Sequence, residues 1–341
     1  MPSLQEIQKS NSLISTSLPA GLVAVFVGST SGIGEYSMVQ FAKHARSPRI
    51  YFVGRSQESA DRLQSHMKTL NPEGTYTFIK ADTALLKNVD DVCRDIKSKE
   101  KAINLLFIST GTLLFGTKTA EGLHMAASLV RYSRSRFVVN LLPELRAATS
   151  LRRVVSVFAG TKEGSVDTND LPGWKVNLLA TRGHAASSVT FSLEGLAKRA
   201  PDVTFIHDFP GPVKSNLIRG GEGAIVGAMK YLAKALGPLG LAIPNEECGD
   251  RHVFLATSAK YPAGKPGEKD AVAVALGDGQ VVAKGSDGKT GSGVYTVDQH
   301  GEPQGAKVEA LLADMRKNGV ADKVCEEIQT EFLRITGVEA I

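Results

Sequence analysis

LVAVFVGSTSGIG, Leu22 to Gly34, is the stretch on which the reading of this chain turns. Leu22–Gly28 is a short, near-continuous apolar run, the pattern of a strand buried on both faces. Glycines 28, 32 and 34 follow it directly, and a helical pattern begins there. A strand-to-helix turn without side chains lets a pyrophosphate approach the backbone, and the helix N-terminus offers amide donors and partial positive charge. A glycine run by itself marks only a turn. Set between a strand and a helix, Gly28, Ser29, Thr30, Ser31, Gly32, Ile33 and Gly34 become a candidate phosphate loop.

Working outward, the first two hundred residues alternate similar apolar runs with longer helical stretches. Arg49–Gly54, Tyr76–Lys80, Ile103–Ser109, Arg153–Phe158 and Val203–Asp208 read as further strands, with Leu85–Lys101 and Glu121–Leu142 among the helices between them. This succession predicts an α/β fold, a doubly wound parallel sheet with helices on both faces. Past Asp208 the alternation breaks. Gly211–Gly240 is rich in glycine around an apolar helix-like piece at Ile225–Leu236. Pro262–Gly291 is a polar, turn-forming segment, and Gly293–Val297 reads as a last strand. Val308, Leu311, Leu312 and Met315, then Val324, Ile328, Phe332 and Leu333, recur at helical spacing and predict two amphipathic helices packed on the same domain.

With 341 residues, 42% hydrophobic and 22% charged, the chain can bury a sizeable core, which excludes wholesale disorder. Its net charge of +5 is spread without a basic block, so it suits an anionic small ligand better than nucleic acid. Cys93, Cys248 and Cys325 are too far apart for a zinc pattern or a disulfide framework and read as reduced thiols. No clustered His/Cys or H-E-x-x-H string suggests a metal, and no Gly-x-Ser-x-Gly elbow occurs. No apolar run approaches the roughly 20 residues of a membrane helix. Met1–Ser17 lacks a signal-peptide apolar region. The expectation is a soluble, cytoplasmic protein with a small-molecule substrate and no nucleic-acid or membrane partner.

The end of the second strand bears on the choice of dinucleotide. A carboxylate there would accept hydrogen bonds from the adenosine ribose and select NAD. The chain carries Gly54, Arg55 and Ser56 instead, and a guanidinium with a hydroxyl suits the 2′-phosphate of NADP(H). The alternative is a surface arginine opening the next helix.

The spacing of Gly28, Gly32 and Gly34 in VFVGSTSGIGEY resembles the short-chain dehydrogenase/reductase family over about residues 20–215. The resemblance is closer to a fungal secondary-metabolism group with a long C-terminal extension. It implies that Asp82 contacts the adenine. It also implies that Ser109, Thr110 and Gly111 meet the cofactor where the family usually carries Asn-Ala-Gly, and that Pro210, Gly211, Val213 and Ser215 hold the nicotinamide carboxamide. The resulting expectation is one Rossmann-like domain over residues 1–341, with a substrate lid and C-terminal extension from about 216 onward. Lys214–Gly240 is expected to form part of a mobile lid, and the resemblance implies a homo-oligomer.

The family's chemistry uses a Ser with a Tyr-x-x-x-Lys pair, and that set is missing. There is no tyrosine between Tyr132 and Tyr231. Aligning the helix on Leu196-Ala197 puts Arg182 and Ala186 at the Tyr and Lys positions, and Ala159 stands where the Ser is expected. Asn140 resembles the family's helix Asn, with a helix asparagine hydrogen-bonded to nearby backbone as the alternative. Tyr132 is the best substitute acid, though it also reads as a core aromatic. Lys162 follows the fifth strand, within reach of an oxyanion in the cleft, or it is a surface lysine. Arg182 would hold a ribose or polarise an oxygen without giving up its proton. His184 reads as packing or capping, and Ser156 as core-lining. These residues leave three readings open: an NADP(H)-dependent oxidoreductase acting on a hydrophobic carbonyl or alcohol, a non-redox isomerase, dehydratase or cyclase, and a non-catalytic cofactor-binding protein.

Overall fold

β-Branched and aromatic side chains build one parallel sheet from β1 (Val23–Val27), β2 (Arg49–Gly54), β3 (Thr75–Lys80), β4 (Leu105–Ile108), β5 (Arg153–Val157), β6 (Thr204–Asp208) and β7 (Val294–Val297). Their order is β3-β2-β1-β4-β5-β6-β7. The computed structural model describes residues 2–114, 116–213, 242–265 and 272–341. Ser215 and the lid expected at Lys214–Gly240 lie outside the described residues.

Strand alternation divides the core into two layers. Val23, Val25 and Val27 of β1 enter one, with Leu106, Ile108, Val154 and Phe205. Helices α5 (Leu86–Lys99), α7 (Ser133–Ala147), α8 (Leu178–Arg199), α10 (Ala306–Lys317) and α11 (Val320–Thr336) cover that face. Ala24 and Phe26 enter the other layer, beneath α3 (Gly32–His44), α4 (Gln57–Leu70) and α9 (Asn245–Thr257). Full burial of a Val, Leu or Phe side chain stabilises by roughly 1.5–3 kcal/mol, so the two apolar layers dominate the energetics.

Two additions were not legible as polar-pattern segments. Ser3 and Glu6 cap α1 (Leu4–Ser12) reciprocally, and Gln8 and Asn11 of that helix bond Asp250 of α9. α2 (Ile14–Ser17) follows, its Ile14 buried in the α3 layer. A short α6 (Met125–Ala127) runs through a π-helical turn, Ser128–Tyr132, into α7. The wide turn shifts the phase of everything after it.

Register sets the height of the functional rim. Val27 stands opposite Val53 and Ile108, Ile108 opposite Ser156, Ser156 opposite His207, and Asp208 opposite Val297. The chain reverses direction of travel across the sheet between β1 and β4, the point where ligands bind in open α/β sheets. Among the described residues, no helix is long and apolar enough to cross a membrane, and no group of three His, Cys, Asp or Glu is placed to hold a metal.

Candidate active site

The glycine loop leaves β1 and enters α3 with almost no spare volume. Gly28 has φ +81°, and a Cβ there would stand 2.9 Å from the Thr110 backbone nitrogen. A Cβ on Gly34 would overlap the Ser109 hydroxyl and stand 2.9 Å from the Gly28 carbonyl. Loop and β4 end are thus in contact. Ser31 precedes α3 in an extended conformation and its side chain makes no cap bond. By contrast, Ser56 caps α4, Glu121 accepts from the first amides of α5, and Asn177 caps α8. The first-turn amides of α3 therefore keep their donor capacity for a ligand. The Ser29 hydroxyl is fully buried without a partner among the described residues. A phosphate-bearing dinucleotide fits this donor set.

At the neighbouring strand ends, Arg55 is exposed and lines an open groove of about 520 Å³ with Ile79, Lys80, Asp82 and Asn88. Ser56 spends its oxygen on the Ser59 amide, at 3.2 Å, which leaves Arg55 as the freer of the pair. Asp82 is exposed, and its Oδ1 accepts from the Ala84 amide. Thr110 donates to the Leu129 carbonyl. Pro210, Gly211 and Val213 form the turn after β6. Gly211 has φ +72° and packs on Gln299, and Val213 bridges to Ile243.

Of the residues nominated for catalysis, two are committed elsewhere. Tyr132 is fully buried; its hydroxyl accepts from Arg131 and donates to Glu327 of α11. Burial pushes that phenol well above its ordinary range. Asn140 donates to Asp90 at 2.8 Å and accepts from the Ile341 amide, between α5 and the last residues. Arg182 is exposed and makes no ion pair among the described residues. His184 accepts from the Asp167 amide and donates to the Leu171 carbonyl, which orders the loop before α8.

Lys162 sits at the rim, its ammonium 5.0 Å from the centre of the Phe209 ring. The turn carrying it is held from several sides. The Ala159 amide donates to His207 Nε2 at 3.1 Å, and His207 Nδ1 lies 2.9 Å from the Thr190 hydroxyl. The Thr161 amide donates to Thr296 at 2.7 Å, and Thr161 itself has φ +65°. A β-branched residue there is strained by about 1–3 kcal/mol and persists only when its surroundings enforce it. Glu163 enforces it: its buried carboxylate accepts from Thr190 and Thr296 at 2.8 and 2.6 Å. Those hydrogen bonds and His207 hold its carboxyl below the usual range despite burial.

Sequence reading passed over Arg134 entirely. This residue of α7 is buried. It donates to the Leu129 carbonyl, to the Thr110 carbonyl, and through Nη1 to the Ser156 hydroxyl at 2.7 Å. It also lies over the Phe158 ring. Burial alone pulls the guanidinium down to about 9, which leaves it charged at neutral pH. A signal was present. Arg131, Arg134 and Arg136 occupy a helix whose other residues are mostly apolar. At 100° per residue their directions diverge too widely for all three to reach water. Across the sheet, Asp208 pairs with His252 of α9 at 2.9 Å, and that imidazole also faces the Cys248 carbonyl.

No protein-family model matches the sequence. The oxidoreductase andH of Emericella variicolor is 37% identical over 340 residues, 99% of this chain and 98% of the relative. The short-chain dehydrogenase/reductase SAT2 of Stachybotrys chartarum is 30% identical, covering 89% of this chain and 90% of the relative. Among solved structures, the Pseudomonas aeruginosa RhlG/NADP active-site complex superposes with a TM-score of 0.53 at 17% identity, over 71% of this chain and 91% of that one.

Proposed function

The chain belongs to the short-chain dehydrogenase/reductase family, and from that premise we propose that it is an NADP(H)-dependent oxidoreductase acting on a carbonyl or hydroxyl group of a hydrophobic small molecule, with a proton donor other than tyrosine. The single observation that carries the cofactor part is the loop at Gly28–Gly34: side-chain-free where Ser109 and Thr110 approach, and followed by an uncapped helix. The amides of α3 and the Ser29 hydroxyl would hold the pyrophosphate, and Arg55 the 2′-phosphate. Asp82 would meet the adenine; Ser109, Gly111, Pro210 and Gly211 would line the nicotinamide end. When bound, the cofactor supplies or accepts hydride. Fungal secondary metabolism is the setting that the relatives' names support, and a small-molecule substrate fits the rim at the strand ends.

Ala159 and Arg182 stand where the family's serine and tyrosine are expected, and the work of those two side chains is assigned here to Ser156, three residues earlier on β5, and to Lys162 on the turn that follows. Ser156 stands in register with Ile108 and His207 at the strand ends. Lys162 is the proton-bearing side chain that the pinned turn after β5 presents. Its ammonium would hand on a proton and recover it from water.

Parallel fluorescence titrations with NADPH and NADH test the proposal. Arg55→Ala should weaken NADPH binding about tenfold or more and leave NADH nearly unchanged. Binding of neither nucleotide would overturn the cofactor assignment. Substrate turnover without NADPH consumption would favour the non-redox alternative.

A further inference from the structure

Three arginines are buried between Arg131 and Arg136, and only one lacks a carboxylate. Arg131 pairs with Glu327 at 2.9 Å and Arg136 with Asp90 at 2.6 Å. Arg134 has no acidic partner among the described residues, and its bonded acceptors are two carbonyls and the Ser156 hydroxyl. These take three of the guanidinium's five N–H groups. A buried charge without a counter-charge costs several kcal/mol unless an anion completes it.

Ser156 shows where such an anion would sit. Its oxygen is used as an acceptor from Arg134, and its own O–H has no acceptor among the described residues. Ser156 lies one residue before the end of β5, opposite Ile108 of β4 and His207 of β6, and Arg134 links its buried hydroxyl to the Thr110 carbonyl. The cation polarises the O–H through the shared oxygen, so the hydroxyl becomes a stronger donor to a negative oxygen. Neither group surrenders a proton readily: arginine stays charged, and serine is a weak acid. Direct reduction of a carbonyl carbon yields an alkoxide, a strong base that needs a proton at once on that oxygen. Conjugate reduction yields an enolate, which hydrogen bonds and fixed charge can hold while the proton goes to carbon.

Resting on the NADP(H) reading above, we propose that Ser156 and Arg134 form an oxyanion site and that the substrate is an α,β-unsaturated ketone or aldehyde, reduced at its carbon–carbon double bond. NADPH is the reductant, and its hydride forms the new C–H bond at the β-carbon. The π electrons move through the α-carbon to the carbonyl oxygen, which Ser156 holds as the enolate oxygen. A proton from Lys162, replaced from water, then bonds the α-carbon as the carbonyl re-forms. The products are the saturated carbonyl compound and NADP⁺. Ser156 touches the substrate; Arg134 is a positioning residue acting through it.

The first test uses the full chain with NADP⁺ and 4-nitrophenol, whose phenolate absorbs visible light and whose neutral form does not. The complex should take up phenolate at a pH about one unit below that at which the free phenol ionises. Ser156→Ala should weaken uptake about tenfold, Arg134→Met should abolish it, and Arg134→Lys, which keeps the charge, should retain part of it. Uptake of neutral phenol, no uptake, or uptake unchanged in both Ser156→Ala and Arg134→Met would overturn the site. The second test supplies C4-deuterated NADPH with 2-cyclohexenone. Deuterium on the β-carbon of cyclohexanone is expected. Deuterium on the carbonyl carbon would overturn the inference and leave the proposed oxidoreductase standing; loss of NADPH binding would remove both. If 2-cyclohexenone is not consumed, the phenolate result decides.

Discussion

A buried arginine stands near each end of β5, Arg153 on the strand itself and Arg134 on α7 packed over its other end, and the two meet different acceptors. Arg153, at the N-terminal end, donates to the carbonyls of Leu255 and Ser258 at 2.8 and 3.0 Å. Those are carbonyls of the last turn and cap of α9, where unsatisfied acceptors and the negative end of the helix dipole coincide. Tyr261 and Tyr295 stand beside it, and burial pulls it down to about 10. Arg134, at the other end, finds scattered neutral acceptors and no helix C-terminus. The first arginine completes a helix. Both leave donors over: Arg153 Nε has no partner among the described residues, and Arg134, bonded through all three nitrogens, has two further N–H groups. A buried cation is therefore not by itself a functional signal; what faces it decides.

The sharpest way to break the comparison is to remove each charge with methionine, which keeps much of the volume. For Arg134→Met, kcat/KM on the true substrate should fall about 10²–10³-fold, as when an oxyanion donor is lost. Its urea-denaturation stability should fall by less than that of Arg153→Met, because the Leu129 carbonyl keeps its bond from the Thr110 hydroxyl and a buried charge disappears. Arg153→Met should do the reverse. Two buried carbonyls lose their donors, so stability should drop by about 3 kcal/mol while NADPH affinity stays within twofold, roughly. Equal destabilisation in both variants would show that Arg134 is as structural as Arg153.

A smaller effect is expected at the glycine loop. Gly34→Ala drives a methyl group into Ser109 and the Gly28 carbonyl and should weaken NADPH binding roughly 10–100-fold by fluorescence titration. Retained affinity would mean that the loop does not hold the cofactor closely.

The smallest effect concerns a cation at the C-terminal rim that does have its counter-charge. Burial lowers His252, but the Cys248 and Asp208 side chains beside it hold it well above its usual value of 6.5. A raised folded-state value means that the pair's contribution is fully present below about pH 6.5 and is lost as pH rises through that higher value. Wild-type stability relative to His252→Gln should therefore decline on the alkaline side. A pH-independent difference in urea midpoints would show that the imidazole is not protonated in the folded state.

Much of the fold was legible because its signals are local. The apolar runs at 22–28, 49–54 and 153–158 bury both faces, and the structure trims each by a residue or two at most. The glycine loop was legible for the same reason: spacing and context are adjacent in sequence. The polar half of the rim was not. Asn140 was nominated by resemblance and Tyr132 as a substitute acid, and the structure commits them to Asp90 of α5 and Glu327 of α11, remote in the chain. Glu163, Thr190, His207 and Thr296 come from four separate elements, and no short window contains more than one of them.

By itself, then, the sequence determined the parallel α/β sheet, the strand–glycine–helix cradle and the absence of a Tyr-x-x-x-Lys pair between β5 and β6, since each depends on residues that neighbour one another along the chain. Only the tertiary structure decided which charged side chains face a partner. Arg131, Arg134 and Arg136 are alike in sequence. Their different fates follow from Glu327, Asp90 and Ser156, brought to one helix from α11, α5 and β5. Electrostatic energy depends on distances between groups remote in the chain, and those distances exist only after the sheet and its two helical layers have closed.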